Sequence, residues 1–408
     1  MVADAADHGS GAATPTFVSP PHVEQVVLER TRQWFAQAGD GDQHRARPDL
    51  EREPWGSLPF TRKADMRRRL RPYPETGRWI ASLCSSGTTA EPVVSPWSEA
   101  DELVADATMR AIHGFCPPLD GAQCAVIAPS RALAAAYFMR RQIEVNGGTP
   151  HLITSTDPEL ISRTLEAEGI EVVLALPLVV SRIGEYFRRT RGAPPSKVGV
   201  IICGGDVLSA ARQAMLAQLW DALVFNMFGC SELFGPAAGP GGHDGLLFWR
   251  CEQVAVEVVD PVTLTHCGLG ERGVVVLSTL WPKASPLLRY WTDDVVQLVD
   301  VGSAPTPFAF EYIGRPPSML DVADRKVSLR DIDSALLSGG WCTSEWSIRQ
   351  APDEIRIDVE TTMRKDVALG GMREVLHELV GVPLELVPRE PGSLPRTSPK
   401  FAVLPITG

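Results

Sequence analysis

Between Ala122 and Phe228, short apolar runs alternate with longer segments whose apolar positions recur at helical spacing. The runs Ala122–Ala128, His151–Thr154, Glu171–Leu176, Val198–Cys203 and Ala222–Phe228 are predicted as strands. Helices are predicted at Arg131–Val145, Pro158–Glu168, Pro177–Arg189 and Leu208–Trp220. Buried strands bounded by turn residues and separated by helices predict a mainly parallel α/β sheet. From Val254 the rhythm changes to strands without helices: Val254–Val259, Gly273–Thr279, Val295–Val299 and Phe308–Ile313. That rhythm predicts an antiparallel sheet or barrel-like subdomain. Beyond the Gly314-Arg315-Pro316-Pro317 segment, a small α+β unit is predicted. Its elements are a helix at Val327–Leu337, strands at Glu345–Arg349 and Ile355–Val359, a helix at Lys365–Val380, and a polar tail carrying Lys400.

The N-terminal part is simpler. Residues 1–20 are Ala/Gly/Ser/Pro-rich, a composition that cannot bury a core. Val23–Ala38 has helical apolar spacing, and Leu58–Met66 predicts a short helix with Thr61 as its N-cap. A further helix at Leu103–Ile112 ends on His113, read as a structural residue. The expected division is therefore a disordered 1–20, a large domain over 21–314 and a small, mobile lid domain over 315–408.

Composition narrows the class. The 408 residues are 44% hydrophobic, enough for one large core and a smaller one. A net charge of −11 argues against a nucleic-acid binder, which would carry a basic footprint. The eight cysteines contain no CxxC pair and read as reduced thiols. The N-terminus lacks a basic start and an apolar run, and no stretch reaches the length of a membrane span. The expectation is a cytoplasmic protein with no membrane attachment.

Five stretches carry candidate chemistry. Ser82 to Pro92 (SLCSSGTTAEP) gathers hydroxyls around Gly87, a poor helix and a poor strand but a good anion cradle. Phe228-Gly229-Cys230-Ser231-Glu232 follows a predicted parallel strand, where open α/β sheets bind ligands. There an aromatic can stack on a purine, and Glu232 can hold Mg²⁺ on a phosphate. Cys203-Gly204-Gly205-Asp206 is a tight turn after another strand. Arg289 to Asp294 offers a carboxylate for ribose hydroxyls, and Ser393 to Lys400 places a lysine near the C-terminus. Taken singly, each also reads as a polar loop, a core aromatic or a solvated charge.

Their order is informative. From about Leu58 to Leu404 the chain resembles the adenylate-forming (ANL) ligases, in particular the phenylacetate-CoA ligase branch. SSGTTAEP is similar to that branch's SSGTTGKP phosphate loop, and Cys203 to Asp206 to its GGE turn. NMFGCSELFGP resembles DIYGLTEVIGP, LLRYWTDD resembles LIRYRTRD, and SLPRTSPK resembles LPRSEGK. Leu58 to Asp65 resembles LPFTTKDDL, and Gly314 to Val322 resembles GRSDDMLII.

The resemblance implies ATP-dependent conversion of a carboxylic acid to an acyl-adenylate, followed by transfer to a thiol. It implies that Ser85, Ser86, Gly87, Thr88 and Thr89 hold the pyrophosphate end. Gly204, Gly205, Asp206, Phe228, Gly229, Cys230 and Ser231 would line the nucleotide side, with Phe228 and Gly229 also walling the acyl group. Glu232 would be the Mg²⁺ partner, Asp294 the ribose clamp, Arg315 an interdomain contact and Lys400 the adenylation lysine. Ala134, Tyr137, Phe138, Cys203 and Met227 would face the acyl group, and the aromatics favour an aryl or arylacetic acid. A homodimer is the expected assembly.

Three departures from the branch leave the acceptor open. Ala90-Glu91 replaces Gly-Lys in the phosphate loop, Pro317-Ser318 replaces paired aspartates, and Ala323-Asp324 replaces an Arg-Gly turn on the thiol-entry path. CoA, the phosphopantetheine of a carrier protein and an amine, as in natural-product biosynthesis, are all acceptors consistent with this pattern. A non-catalytic nucleotide-binding descendant is a further alternative. His243, Cys251, His266 and Cys267 fall close together without matching a compact zinc template, and leave a Zn²⁺ site open.

Overall fold

The computed structural model describes residues 58–68, 79–84, 94–114, 116–128, 133–155, 157–195, 197–240, 245–251, 253–281, 287–301, 309–322, 325–351, 354–363, 365–396 and 400–405. The first helix, α1 (Lys63–Arg68), precedes a hairpin of β1 (Trp79–Cys84) and β2 (Val94–Ser98). Helix α2 (Glu99–His113) follows directly on a capping box in which Ser98 accepts from Asp101 N and Asp101 accepts from Ser98 N.

The chain then alternates. It runs through β3 (Gln123–Ile127), α3 (Leu133–Val145), β4 (Thr149–Ile153), α4 (Pro158–Ala167), β5 (Val172–Ala175), α5 (Pro177–Arg191), β6 (Val200–Gly204), α6 (Ala210–Trp220) and β7 (Leu223–Cys230). Strands β3 to β7 pair in parallel. Alternate residues of β5 face opposite layers: Val173 and Ala175 pack with Ile161, Ile183 and Trp220, whereas Val172 and Leu174 pack with Ile112, Ile143 and Met227. Both faces are therefore covered, which explains why these strands read as unbroken apolar runs.

The antiparallel strands are present as expected and are continuous with the parallel sheet. They are β8 (Gly235–Pro240), β9 (Leu247–Trp249), β10 (Val254–Val259), β11 (Arg272–Thr279), β12 (Tyr290–Val299) and β13 (Ala309–Gly314). They extend the parallel sheet through the β7–β8 pair into an 11-stranded sheet of order β10-β11-β12-β13-β9-β8-β7-β6-β5-β3-β4. Next come the hairpin β14 (Met319–Val322) and β15 (Arg325–Ser328), then α7 (Leu329–Ser338). A four-stranded sheet of order β18-β17-β16-β19 closes the chain. It comprises β16 (Trp346–Ala351), β17 (Glu354–Glu360), β18 (Glu385–Arg389) and β19 (Val403–Pro405), with α8 (Lys365–Val380) between β17 and β18.

Several expectations change. Thr61 is not an N-cap: its hydroxyl donates to Leu288 O at 2.7 Å, and its backbone bridges to Tyr290, tying α1 to the sheet. Strand β8 has the sequence GPAAGP, whose small residues carry no strand propensity, and it went unpredicted with β9. Ser82 to Cys84 lie in β1, whereas that run read as a poor strand. Strand β12 begins at Tyr290, earlier than its apolar half implied, and β15 occupies the start of the helix expected from Val327. The helix expected at Val23–Ala38 lies outside the described residues.

The C-terminal elements are joined to the main sheet layer through a buried ion pair. Arg212, on α6, is fully buried. Its Nε donates to Asp333 Oδ2 at 3.0 Å and its Nη2 to Oδ1 at 2.5 Å. Nη2 also reaches Ser344 O at 3.0 Å, and Nη1 reaches Ser181 Oγ at 2.9 Å. Asp333, on α7, further accepts from Ser209 Oγ at 2.8 Å and Trp346 Nε1 at 2.9 Å. Removing one partner of such a pair leaves an uncompensated buried charge. Asp333→Asn is expected to lower stability by about 3–5 kcal/mol in urea unfolding followed by tryptophan fluorescence. An Arg212→Met, Asp333→Leu double variant should recover much of that loss, and equal losses for the single and double variants would contradict this account.

Candidate active site

The carboxyl ends of β6 and β7 and the start of β12 meet the turn after β13. Asp294, buried on β12, accepts from Arg315 Nε at 2.5 Å, Arg315 Nη2 at 2.8 Å and Tyr312 Oη at 2.9 Å. Asp294 opposite it raises the Arg315 pKa well above its ordinary value, against the effect of burial. Burial and the same carboxylate push Tyr312 up, so its phenol stays protonated and donates. The turn holding Arg315 is fixed by Ser318, one of the residues departing from the branch pattern. Its hydroxyl accepts from Arg315 N at 3.0 Å and donates to Arg315 O at 2.9 Å.

Glu232 follows β7 in a short 3₁₀ turn and is buried. Tyr290 Oη donates to its Oε1 at 2.7 Å, and Ser231 Oγ donates to its Oε2 at 3.1 Å. A carboxylate offers about four acceptor positions, so both oxygens keep a lone pair that fits a hard cation or a bridging water. Gly229 sits where the β7–β8 hairpin closes: a Cβ there would lie 2.2 Å from Gly235 O, so no larger residue fits without moving the backbone.

Lys400 comes from the far end of the chain. Its Nζ donates to Gly205 O at 2.5 Å, and the next amide, Phe401 N, donates to Asp206 Oδ2 at 2.9 Å. Gly205 has φ +83°, which presents its carbonyl outward at little cost for glycine. Burial lowers the Lys400 pKa, Arg315 lowers it further, and Asp206 and Asp294 oppose the change. Burial pushes Asp206 up to about 6, held back by Lys400 and by the amides of Phe401 and Val207. A cation and two carboxylates, drawn from positions 400, 206 and 294, thus converge beside Arg315.

The structure does not expose Phe228. It is buried and tilts against Trp249, Phe310 and Tyr312 at 6.2, 5.7 and 5.3 Å. Tyr137 and Phe138 join Trp97 and Phe234, with Trp97 stacked on Phe234 at 5.1 Å. Met227 takes a hydrogen bond on its sulfur from Gln142 Nε2 at 2.9 Å, and its carbonyl lies against Gly204. Cys203 and Cys230 are buried thiols: burial pushes Cys203 up to about 12 and Cys230 well above its ordinary value. Neither is an activated nucleophile.

The Ser85 to Thr89 loop, the Ala134 side chain, Ala90-Glu91, Ala323-Asp324 and His243 lie outside the described residues. Of the remaining candidate zinc residues, His266 Nε2 bonds Glu257 at 2.9 Å, and Cys251 and Cys267 are buried. Among the described residues no group of three or more His, Cys, Asp or Glu side chains could hold a metal ion. Sequence reasoning missed Tyr290 and Tyr312 as partners of the two carboxylates. Tyr290 lies within the quoted LLRYWTDD stretch, whereas Tyr312 lies in no motif.

His113 is more than packing. Met sulfur only accepts, so Gln142 Nε2 must donate to Met227; the same Nε2 lies 2.9 Å from His113 Nε2, which then accepts. The proton is therefore on Nδ1, a buried atom without a partner among the described residues. Burial lowers the His113 pKa from 6.5 to about 4. Because the folded-state value is depressed, the unfolded chain binds the proton first. The stability held at neutral pH is complete above about pH 6.5 and is lost as pH falls toward 4, by about 3 kcal/mol. A His113→Gln variant should show a shallower decline of melting temperature between pH 7 and 4; an unchanged slope would contradict the assignment.

No protein-family model matches the chain. It is 25% identical over 389 residues to the phenylacetate-coenzyme A ligase of Thermus thermophilus, covering 83% of this chain and 84% of that protein. It is 23% identical over 412 residues to the phenylacetate-coenzyme A ligase of Escherichia coli, covering 93% and 90%. Among solved structures, 2-hydroxyisobutyryl-CoA ligase in the postadenylation state with 2-HIB-AMP superposes with TM-score 0.75 at 16% identity, over 98% of this chain and 94% of that one. The same ligase in the thioesterification state, over the same shares, gives a TM-score of 0.57. The chain is thus similar to phenylacetate-CoA ligases over most of its length and shares the fold of an acyl-CoA ligase.

Proposed function

We propose that this protein is an ATP-dependent acid–thiol ligase that converts a carboxylic acid to its acyl-adenylate, releases pyrophosphate, and transfers the acyl group to a thiol. The observation carrying this reading is the seating of Lys400 on Gly205 O, with its ammonium beside Asp206, Asp294 and Arg315. Adenylyl transfer needs positioning and charge neutralisation more than covalent help. As the acid's carboxylate oxygen attacks the α-phosphorus, the P–O bond to pyrophosphate breaks and negative charge builds on both sides. An ammonium held between the two groups lowers the cost of that charge.

The remaining roles follow from geometry. Asp294 keeps its carboxylate fixed by Arg315 and Tyr312, and its remaining acceptor capacity suits the ribose hydroxyls. Glu232 would hold Mg²⁺, which when bound neutralises phosphate charge; Tyr290 and Ser231 fix the carboxylate for that purpose. Ser85, Ser86, Gly87, Thr88 and Thr89 would hold the departing pyrophosphate. Gly204, Gly205 and Asp206 would border the nucleotide, with Gly229, Cys230 and Ser231 on its other side. Phe228, sealed in an aromatic cluster, would back this wall rather than stack in the open.

The acid is read as aromatic, because Tyr137 and Phe138 adjoin Trp97 and Phe234 where the acyl group would lie. CoA is the favoured thiol, as both curated relatives carry that acceptor in their names. The greater likeness to the postadenylation state supports reading this arrangement, with Lys400 docked, as the adenylating one.

Acid-dependent ATP–pyrophosphate exchange over a panel of aryl, arylacetic and short aliphatic acids tests the reading. Exchange should appear with an aromatic acid, and Lys400→Ala should lower it by at least roughly 10²-fold, the usual scale for losing one stabilising cation or donor. Bound ATP without exchange for any acid would contradict it.

A further inference from the structure

Lys400 is a long, flexible side chain on a tail, and a cation that must meet a developing charge has to be held in place. Part of the segment ahead of it is anchored on one carboxylate. Glu360, the last residue of β17, is fully buried. Its two oxygens take four donors from the segment that leads to Lys400. Leu394 N reaches Oε1 at 2.7 Å and Gly392 N reaches Oε2 at 2.8 Å. Arg396 Nη1 and Nη2 close a bidentate pair at 2.5 and 2.7 Å.

The anchor connects to the main layer. Arg396 also faces Glu345 at 4.0 Å, and Glu345 receives Arg182 of α5 through two hydrogen bonds at 2.8 and 2.6 Å. The charges therefore alternate from α5 to the tail: Arg182, Glu345, Arg396, Glu360. A buried carboxylate with every lone pair engaged resists rotation, because any movement leaves an unsatisfied charge. Arg396 stands four positions before Lys400, whose Nζ meets Gly205 O.

We infer that Glu360 is a positioning residue for the adenylation step, acting through Lys400 by fixing the segment that presents its ammonium. The inference rests on the reading of Lys400 given above. The donors to Glu360 come from Gly392, Leu394 and Arg396, and none from the groups around Asp294.

A double-mutant cycle tests it. Glu360→Gln keeps the shape, loses the charge and weakens the Arg396 pair. In the wild-type background it should lower kcat of ATP–pyrophosphate exchange by roughly 10²-fold, the scale of a misplaced reacting group, with KM for ATP and acid unchanged. In a Lys400→Ala background it should add nothing, because the group it positions is gone. A purely structural carboxylate would lower exchange by the same factor in both backgrounds, and that result overturns the inference, as does an unchanged kcat in Glu360→Gln alone. Should Lys400→Ala leave exchange intact, the reading of Lys400 fails first and the inference falls with it. Glu360→Asp, which keeps the charge but retracts it, serves if the glutamine variant does not fold, and the same non-additivity is expected of it.

Discussion

The arrangement of this protein depends on one buried guanidinium. Arg212 gathers Ser181 of α5, Asp333 of α7 and the Ser344 carbonyl around α6, and the Phe401 ring lies 5.0 Å from it. Taking two charges out of water costs several kcal/mol per ion, recovered only when the geometry is good and each lone pair and N–H is used. Here both ions are almost fully engaged. The consequence is discrimination more than strength: arrangements of the C-terminal elements that separate Arg212 from Asp333 expose an unpaired buried charge, so this one is selected.

Phe401 ties that constraint to chemistry. Its ring packs against Arg212 and stacks on Trp346 at 5.1 Å, while its amide bonds Asp206. Lys400 precedes it, so the seating of Phe401 places the Lys400 backbone within reach of Gly205 O. The buried pair, the seated aromatic and the Glu360 anchor hold one residue from three directions. The interlock joins the C-terminal strands to the turn after β6. Arg315 shares in it, since the turn carrying that residue is stiffened by Ser318 in place of paired acids.

Much of the fold was legible because it rests on local chemistry. The βα alternation from Gln123 to Cys230 follows from apolar runs buried on both faces, and Asp157, Ser209 and Ser328 cap their helices as their side chains dictate. What was not legible depends on pairings distant in sequence. Strand β8 is built from small residues whose role is to let chains approach closely, as Gly229 against Gly235 shows. The continuity of the parallel and antiparallel parts is set by the β7–β8 register, which no periodicity reveals. Among the candidate site residues, Lys400, Asp294, Arg315, Gly205 and Asp206 could be named from short motifs, but not which of them would meet. Glu360 and Tyr312 acquire meaning only where strands and tail meet. Phe228 could be named from its motif, but not its burial among Trp249, Phe310 and Tyr312.

The central claim is that the interlocked arrangement is the one in which the acid is adenylated. Pulsed electron–electron resonance between spin labels at Arg163 on α4 and Glu374 on α8, both exposed, measures it most directly. With an active acid and ATP, the account predicts a single narrow distance population matching the structure, which broadens or shifts when Asp333 is replaced by Asn. A broad distribution under adenylating conditions, unchanged by loss of the Asp333 carboxylate, would contradict it.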